Sequence, residues 1–338
     1  FHPVTSIVIL ADALTPPSVT PIVDGMRGAN DWYTGDVTVS WDLSNSHPVV
    51  TSSSGCEPTT ITADTAGQTL TCTATSDDGT TTQTITIKRD ATPPVIGHVV
   101  IPPVDGSNGW HVSAPTVTFI CSDSGSGLES CLANGNGSGS VALGENANVQ
   151  TVTGTATDNA GNVNQDLASL LVDLSDPTIS AATDRPANSI GWYGAPVAVS
   201  FTCADAVSGV ATCPAAVILA EGANQSASGT VTDTSGRSAS TTLSGINIDL
   251  TPPVLICPSG GVTECEFAGG SFVSLALATA TDVGQGTAVI TNSYTAGGDD
   301  ASGSYPLGST NVTFTATDGA GNSSSCGAVV TVADTTPP

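Results

Sequence analysis

The 338-residue sequence is poor in aromatic residues, in basic residues and in long apolar runs, and each shortage excludes a class of protein. Aromatic residues make up only 4% of the chain, so its core must consist mainly of aliphatic side chains and threonine methyl groups. Five basic residues stand against thirty acidic ones, and the net charge of −25 excludes binding to nucleic acid or to an anionic membrane surface. No apolar run approaches the ~20 residues of a membrane-spanning helix, which excludes membrane insertion of that kind.

Helical spacing of apolar residues is also missing. Short threonine and valine alternations lie between turns rich in glycine (37 residues) and proline (21 residues), a pattern that predicts an all-β chain. The sequence contains no G-x-S-x-G, H-E-x-x-H or P-loop motif, and paired carboxylates occur only in repeated turns. We therefore expect no enzymatic activity.

One signal recurs at intervals of about 80 residues. It is an aspartate followed by a proline-containing linker, at Asp12, Asp90, Asp173, Asp249 and Asp334. A β-hairpin pattern, with a turn such as "TATDNAGN" (155–162), precedes each of the last four. This period predicts an N-terminal segment (1–15) and four domains, 16–92, 93–175, 176–250 and 251–338. About seven short strands per repeat predict immunoglobulin-like β-sandwiches, and proline-stiffened linkers predict an elongated rod.

Motifs in the repeats resemble two known families. The first three repeats resemble bacterial immunoglobulin-like domains of large secreted and surface proteins, on stretches such as "SFTCADAVSGVATC" (200–213), "LAEGANQSASGTVTD" (219–233) and "GINIDLTPP" (245–253). The fourth repeat resembles the hyalin-repeat (HYR) domain, on "PPVLICP" (252–258) and "TEC" (263–265). Both resemblances imply an immunoglobulin-like fold and an extracellular location.

Nine cysteines without a C-x-x-C pair indicate disulfides and therefore an oxidising, extracellular setting. Local pairing gives the predicted bridges Cys56–Cys72, Cys121–Cys131 and Cys203–Cys213. The HYR resemblance implies a fourth bridge, Cys257–Cys326. Cys265 is left unpaired; we expect it to be buried and inert, and the alternative is an intermolecular bridge.

Calcium is the leading cofactor candidate, because hard cations prefer carboxylate and carbonyl oxygens. The candidate ligands are the linker and hairpin-turn aspartates, namely Asp90, Asp158, Asp173, Asp233, Asp249 and Asp318. Acidic loops at Asp123, Asp205, Asp299 and Asp300 add further carboxylates. In the alternative interpretation, the turn aspartates form Asx turns and the acidic residues make a solvated surface.

Three repeats carry a tryptophan before an early strand, at Trp32, Trp110 and Trp192. We predict that these rings pack in the core or at a domain end. The alternative is an exposed platform on which a sugar stacks.

Residues 4–11, "VTSIVILA", alternate like the last strand of a repeat but have no domain of their own. We predict that this segment docks into a neighbouring copy of the chain as a donor strand. The predicted subunit contacts are Val4, Ser6, Ile7, Val8, Ile9 and Leu10. Two alternatives stay open: the chain is a fragment of a longer array, or the strand folds back onto the first domain.

The sequence therefore predicts the structural subunit of an extracellular fibre that assembles head to tail from copies of itself. One alternative is a non-polymerising cell-surface stalk or adhesin segment. Another is a carbohydrate-binding accessory region of a secreted enzyme, with surface glycans as partners. Because the sequence starts at Phe1, we expect a mature processed chain or a piece of a longer one.

Overall fold

A computed structural model describes residues 15–43, 49–284, 288–295 and 297–336, and the chain divides into two units, Phe1–Leu174 and Ser175–Pro338. All regular secondary structure in the described residues is β-strand, which confirms the predicted all-β class. Each strand in these residues pairs only with strands of its own repeat. The predicted subunit contacts in residues 4–10 lie outside the described residues, so the docking of this segment stays a prediction.

The first repeat has one sheet of order β1-β2-β6-β5-β3, with β4 paired to β2. Its strands are β1 (Thr20–Arg27), β2 (Trp32–Asp42), β3 (Ser52–Ser54), β4 (Thr59–Ile61), β5 (Thr65–Ser76) and β6 (Gly79–Arg89). The start of β2 pairs in parallel with the end of β6, whereas the rest of β2 is antiparallel to β1. The sheet encloses a core that includes Val37, Val39 and Ile87.

The second repeat has two sheets, of orders β10-β12-β13-β8 and β11-β9-β7. Its strands are β7 (Val95–Ile101), β8 (Trp110–His111), β9 (Thr116–Ser122), β10 (Leu128–Ala133), β11 (Ser140–Ala142), β12 (Asn146–Asp158) and β13 (Val163–Val172). Alternate residues of both sheets point inward, and Val117 and Phe119 pack with Val152 and Leu170.

The third repeat lies in the second unit and has the same arrangement, with sheets β14-β16-β18 and β15-β20-β19-β17. Its strands are β14 (Thr178–Thr183), β15 (Trp192–Tyr193), β16 (Val197–Ala204), β17 (Val210–Thr212), β18 (Val217–Leu219), β19 (Gly222–Asp233) and β20 (Ser238–Ile248). Val197, Val199, Ile246 and Ile248 form its core.

The fourth repeat has a four-stranded sheet, β22-β28-β27-β25, and two small sheets, β21-β24 and β23-β26. Its strands are β21 (Val254–Ile256), β22 (Gly261–Glu264), β23 (Gly270–Val273), β24 (Thr279–Thr281), β25 (Val289–Asn292), β26 (Gly303–Pro306), β27 (Gly308–Thr317) and β28 (Ser323–Ala333). Its core contains Tyr305 and Phe314, two of the few large aromatic side chains, both almost fully buried.

A glycine in the first strand of the hairpin makes room for an aromatic ring in two repeats. A Cβ atom on Gly154 would lie 2.2 Å from Phe119 Cδ1, and one on Gly229 would lie 2.8 Å from Phe201 Cε1. In the fourth repeat the equivalent position, four residues before the hairpin aspartate, carries Phe314 itself. Because aromatic residues are scarce, each sandwich has at most a few rings, and their positions determine where glycine is needed.

The structure contains four disulfides in the predicted pairing, Cys56–Cys72, Cys121–Cys131, Cys203–Cys213 and Cys257–Cys326. The first three close short loops within one repeat. The fourth joins residues 69 positions apart and connects the end of β21 to β28. Cys265 is a free thiol that is half-buried against the core of the fourth repeat.

Candidate cation sites at the domain junctions

The linker aspartates are held in place by the strand arrangement at each domain end. The main-chain N–H of Asp90 donates to the carbonyl oxygen of Tyr33 at 2.8 Å, and that of Asp249 donates to Tyr193 at 3.0 Å. These bonds extend the short parallel ladder between the tryptophan segment and the last strand of the repeat. As a result, the aspartate side chain projects from the end of the sandwich towards the next domain of the same unit.

The second carboxylate comes from a loop with the pattern D-x-x-x-G after a strand of the next domain. Asp123 Oδ2 accepts hydrogen bonds from the N–H groups of Gly125 (3.0 Å) and Gly127 (2.8 Å). Asp205 Oδ1 accepts the equivalent bonds from Val207 and Gly209, at 3.1 and 2.7 Å. Asp282, directly after β24, begins the same pattern in the fourth repeat.

The third carboxylate is the hairpin aspartate, which closes the turn at the end of the hairpin. Asp158 Oδ1 accepts the N–H of Asn162 at 2.8 Å, and Asp318 Oδ1 accepts the N–H of Asn322 at 2.8 Å. The Asx-turn interpretation of these residues is therefore part of their role. The first repeat differs, since the buried Ser76 stands at this position.

Two groups of three carboxylates result, one in each unit. Asp90, Asp123 and Asp158 each place a carboxylate oxygen within 4.8 Å of the others, and so do Asp249, Asp282 and Asp318. We call these groups the first triad and the second triad. Each combines a linker aspartate with the loop and hairpin aspartates of the following domain.

An asparagine connects the two domains beside each triad. Asn162 Nδ2 donates to the carbonyl oxygen of Asp90 at 3.0 Å and to Asp158 Oδ2 at 2.8 Å. Asn322 Nδ2 donates to the carbonyl oxygen of Asp249 at 2.8 Å and to Asp318 Oδ2 at 2.9 Å. The same bracket is thus built twice, and it fixes the hairpin turn to the preceding linker.

The tryptophan-side loop of the preceding domain also contacts the hairpin turn. In the first unit, Ala29 N–H donates to Ala160 O at 2.8 Å and Asn30 Nδ2 donates to Asn159 O at 3.0 Å. In the second unit, Asn188 Nδ2 donates to Gly319 O at 2.8 Å. Each triad therefore lies at a junction that direct hydrogen bonds already define.

The six aspartates that the sequence singled out are all buried. Their exposed fractions are at most 7%: Asp90, Asp158, Asp173, Asp233, Asp249 and Asp318. Asp90, Asp158, Asp249 and Asp318 have no ion pair with arginine or lysine among the described residues. A buried carboxylate without a counter-charge is costly, so a solvated acidic surface does not account for these four.

The second triad contains a buried carboxylate oxygen without a hydrogen-bond partner among the described residues. Asp249 is fully buried, and its Oδ2 atom has no hydrogen-bond partner in the part of the chain that the structure describes. Burial raises the pKa of Asp249, the Thr251 N–H lowers it, and the charges of Asp282, Asp318 and Glu221 raise it further. A Cβ atom on Gly284 would lie 2.2 Å from this oxygen, so only glycine fits beside it.

The remaining predicted ligands, Asp173 and Asp233, belong to different units, so each is described by itself. Asp205 and Asp233 have carboxylate oxygens within 4.8 Å of each other, and Asp233 Oδ2 is buried without a partner in the described residues. Arg237 replaces the bracket asparagine, and its Nε donates to Asp176 Oδ1 at 2.8 Å. Asp173 belongs to the other unit, where its N–H donates to the carbonyl oxygen of His111 at 2.9 Å.

A second set of acidic residues, which we call the clamp acids, binds the linker directly after each linker aspartate. Each accepts a hydrogen bond from the N–H of the residue that follows a linker aspartate: Asp64 from Ala91 at 2.8 Å, Glu145 from Leu174 at 3.1 Å, Glu221 from Leu250 at 2.6 Å, and Glu264 from Thr335 at 2.8 Å. Hydrogen bonds from Thr335 and Thr336 lower the pKa of Glu264 to about 2. The clamp acids hold the start of each linker against its own domain.

Sequence reasoning missed Asp282 and the clamp acids. The D-x-x-x-G pattern shared with Asp123 and Asp205 is the signal that could have identified Asp282. Trp32 and Trp110 are buried, as the packing interpretation predicts, whereas Trp192 is half-buried. The two buried rings present no open face to a sugar, and Asp299 and Asp300 belong to neither triad.

The triads offer a set of ligands suited to a hard divalent cation. Calcium takes six to eight oxygen ligands at 2.3–2.6 Å, from carboxylates, carbonyls and water, whereas magnesium needs a stricter octahedron. Three carboxylates around one point match calcium better. Imidazole and thiolate groups, which would favour zinc, are absent from both triads.

The fold is a series of tandem β domains, and the four disulfides indicate an extracellular protein. Residues 248–332 match the family model of the HYR domain, which confirms the resemblance of the fourth repeat. The resemblance of the first three repeats to bacterial immunoglobulin-like domains stays a prediction. In the described residues, no helix has the length and apolar character that a membrane span requires.

Hyalin of Strongylocentrotus purpuratus is 33% identical to this chain over 209 residues, 56% of the chain. The chain spans 16% of hyalin's length. Solved structures with a similar course include a tetra-tandem repeat from the extending region of a large adhesion protein (TM-score 0.33, 15% identity, 94% of this chain and 100% of that one). The ICAM-5 D1–D4 ectodomain fragment gives a TM-score of 0.36 at 12% identity, with 94% and 100% covered.

Proposed function

We propose that the chain is a spacer segment of an extracellular, adhesion-type protein, and that calcium ions stiffen the junctions between its β domains. The observation that carries the proposal is the repetition of one arrangement in two units. A linker aspartate, a D-x-x-x-G loop aspartate and a hairpin aspartate converge at both junctions, beside the same asparagine bracket. A spacer needs fixed angles between domains, and a cation that bridges both domains supplies them.

Repetition also argues against a catalytic role for these carboxylates. A spacer requires the same junction at every step, whereas an active site is normally built once. The acidic composition agrees with this role, since net charge of one sign keeps neighbouring spacers apart in solution.

Small-angle X-ray scattering of the full chain, in calcium chloride and in chelator, tests the proposal. We expect a narrow distribution of long dimensions with calcium and a broader, shorter one without it, together with calcium binding by calorimetry. The matched variants are Asp158→Asn and Asp318→Asn, which remove one carboxylate from each triad. If the wild-type chain binds no calcium at millimolar concentration, the proposal is wrong.

We also propose that copies of the chain join head to tail through residues 4–11. The support is the alternating apolar pattern of this segment, which matches the last strand of a repeat. Deletion of residues 1–12 tests this assembly by electron microscopy. We expect threads from the wild-type chain and single particles from the deleted chain. If both chains form single particles, head-to-tail assembly is refuted and only the spacer function remains as a proposal.

A further inference from the structure

Equivalent tryptophans at the start of the short parallel ladders have different ladder partners in the first and third repeats. Trp32 pairs with Lys88, and the Lys88 Nζ atom lies 5.9 Å from the centre of the Trp32 ring. Trp192 pairs with Asn247. Asn247 carries no charge, and its Oδ1 atom accepts the N–H of Asn224 at 2.7 Å. The Trp32 ring therefore has an ammonium group over it, whereas the Trp192 ring receives none from its ladder partner.

The clamp acids of the same two repeats differ in the same way. Asp64 Oδ1 accepts a hydrogen bond from Arg89 Nη1 at 2.7 Å in addition to the linker N–H. Arg89 follows Lys88 in the last strand, and Ile248 stands at its place in the third repeat. Glu221 forms no ion pair in the part of the chain that the structure describes. The third repeat thus keeps the ring and the acid of the first repeat but lacks both of its cations.

Trp192 and Glu221 line one cavity of about 300 Å³. Glu221 is exposed and Trp192 is half-buried, so the cavity can be reached from solvent. In the first repeat, Asp64 lines the equivalent cavity of about 250 Å³, whereas the buried Trp32 does not line it. The three carboxylates of the second triad do not line the cavity beside Trp192, which is therefore distinct from the proposed calcium site. Its volume is at the lower end of the roughly 300–1,000 Å³ of small-molecule sites, which suits the end of a single side chain.

The basic residues of the second unit, Ser175–Pro338, pair elsewhere. This unit contains two of them, Arg185 and Arg237, which form ion pairs with Asp184 at 2.7 Å and Asp176 at 2.8 Å. An aromatic face attracts a cation that lies within ~6 Å of its centre, and a neighbouring carboxylate accepts hydrogen bonds from the same cation. The net charge of −25 also attracts basic partners over a longer distance. The cavity therefore has the chemistry of a cation site that a group from outside the unit would fill.

We propose that the cavity between Trp192 and Glu221 binds a lysine side chain of another protein. The ammonium group then lies over the Trp192 ring and donates to the Glu221 oxygen that does not accept the Leu250 N–H. Lysine is favoured over other cations because Lys88 already shows this arrangement at Trp32. Lys88 is also the single lysine of the chain, so a second copy has none to offer and the partner is a different protein. This site goes beyond the spacer function.

Chemical-shift titration of the full chain by NMR tests the proposal, with the indole N–H signals of its four tryptophans as the measurement. The probe is a blocked tripeptide with lysine between two glycines, and chelator keeps calcium from the Glu221 carboxylate. We expect the Trp192 signal, identified as the one that Trp192→Phe lacks, to shift more than the others. The same tripeptide with acetylated lysine lacks the positive charge and should cause no shift.

Two pairs of variants test the residues that form the site. Glu221→Gln should raise the dissociation constant of the tripeptide about two- to fivefold, since exposed ion pairs contribute modestly. Glu264→Gln is the matched control, because Glu264 makes the same linker contact outside the cavity, and it should leave the dissociation constant unchanged. Asn247→Lys puts a lysine at the place of Lys88 and should abolish binding. Asn247→Ser removes the contact with Asn224 without adding a charge and should preserve binding.

Several outcomes would overturn the proposal. Binding of the acetylated tripeptide as tight as that of the unmodified one is the first, and equal effects of Glu221→Gln and Glu264→Gln are the second. A shift of the Trp192 signal with the neutral sugar N-acetylglucosamine, and none with the lysine tripeptide, would overturn it in favour of a sugar platform. No shift with either probe would overturn it as well. These outcomes leave calcium binding at the triads untouched, because chelator excludes calcium from the titration.

Discussion

The substitution Asp249→Asn should stabilise the calcium-free protein and destabilise the calcium-loaded one relative to wild type. Two ionised carboxylates 4.8 Å apart repel each other by about 3.5 kcal/mol at an effective dielectric constant of ~20. Asp249 takes part in two such pairs within the second triad, so the full repulsion reaches about 7 kcal/mol. Burial and the charges of Asp282 and Asp318 both raise the pKa of Asp249, in the direction that this repulsion predicts.

Asparagine removes the charge, keeps an oxygen for the Thr251 N–H and offers an amide to the other carboxylates. We therefore expect a gain of at least about 1 kcal/mol in chelator, or roughly 2–4 °C in the melting temperature of a unit of this size. With calcium at one hundred times its dissociation constant, the wild-type chain gains about 2.7 kcal/mol, which the variant lacks. The order of stability of the two proteins should thus reverse when calcium is added.

Differential scanning calorimetry of both full-length proteins, in chelator and in calcium chloride, measures this reversal. Asp334→Asn is the control, since this linker aspartate is exposed and belongs to no triad among the described residues. It should change neither melting profile. A variant that is less stable than wild type under both conditions would show that Asp249 acts through its hydrogen bonds alone, and the electrostatic reasoning would then fail.

Three further predictions concern the domains themselves. Replacing both Cys257 and Cys326 by alanine should lower the free energy of unfolding by about 4.4 kcal/mol, against about 2.7 kcal/mol for Cys121 and Cys131, because the Cys257–Cys326 bridge closes the longer loop. Denaturant unfolding compares the two variants, and a larger loss from the shorter loop would contradict the chain-entropy account. Glu264→Gln should destabilise the protein above pH 4.5. The difference in stability from wild type should vanish as pH falls from about 4.5 to about 2, because the pKa of Glu264 is lowered in the folded state. Melting temperatures at stepped pH check this, and a difference that stays constant with pH would contradict it. Gly154→Ala should cost on the order of 1–3 kcal/mol because its Cβ would collide with Phe119, and the exposed Gly144→Ala, where a Cβ meets nothing within 4 Å, is the control in the same unfolding measurement.

The repeated parts of the junction could be derived from the sequence because repetition marks them. Asp90, Asp158, Asp249 and Asp318 recur with fixed spacing to a hairpin and a proline linker, so their shared role is visible in one dimension. The local disulfides follow from short spacing for the same reason. In contrast, the loop aspartate of the fourth repeat lacks the neighbouring cysteine that accompanies Asp123 and Asp205, and Asp282 therefore went unrecognised.

The clamp acids could not be derived because their position in the chain varies while their position in space does not. Glu221 precedes its linker partner Leu250 by 29 residues, whereas Glu264 precedes Thr335 by 71. In the third repeat the clamp acid comes just before the long hairpin strand, and in the fourth it ends β22, which pairs with the last strand. Only the three-dimensional arrangement brings each carboxylate to the main-chain N–H of the residue that follows its linker aspartate.

The distribution of charge bears on both interpretations of the acidic sequence. A chain with five basic residues cannot neutralise thirty acidic ones, so most of its carboxylates must stay in water. Yet Asp90, Asp158, Asp249 and Asp318 are buried without an ion pair to arginine or lysine among the described residues, and arginines pair with more exposed acids such as Asp31, Asp36 and Asp184. Burying carboxylates while the few available cations go elsewhere is unfavourable unless another positive charge enters the junction. Under the proposed function, a calcium ion from outside the chain would supply that charge, and its binding would make junction rigidity depend on the calcium concentration around the protein.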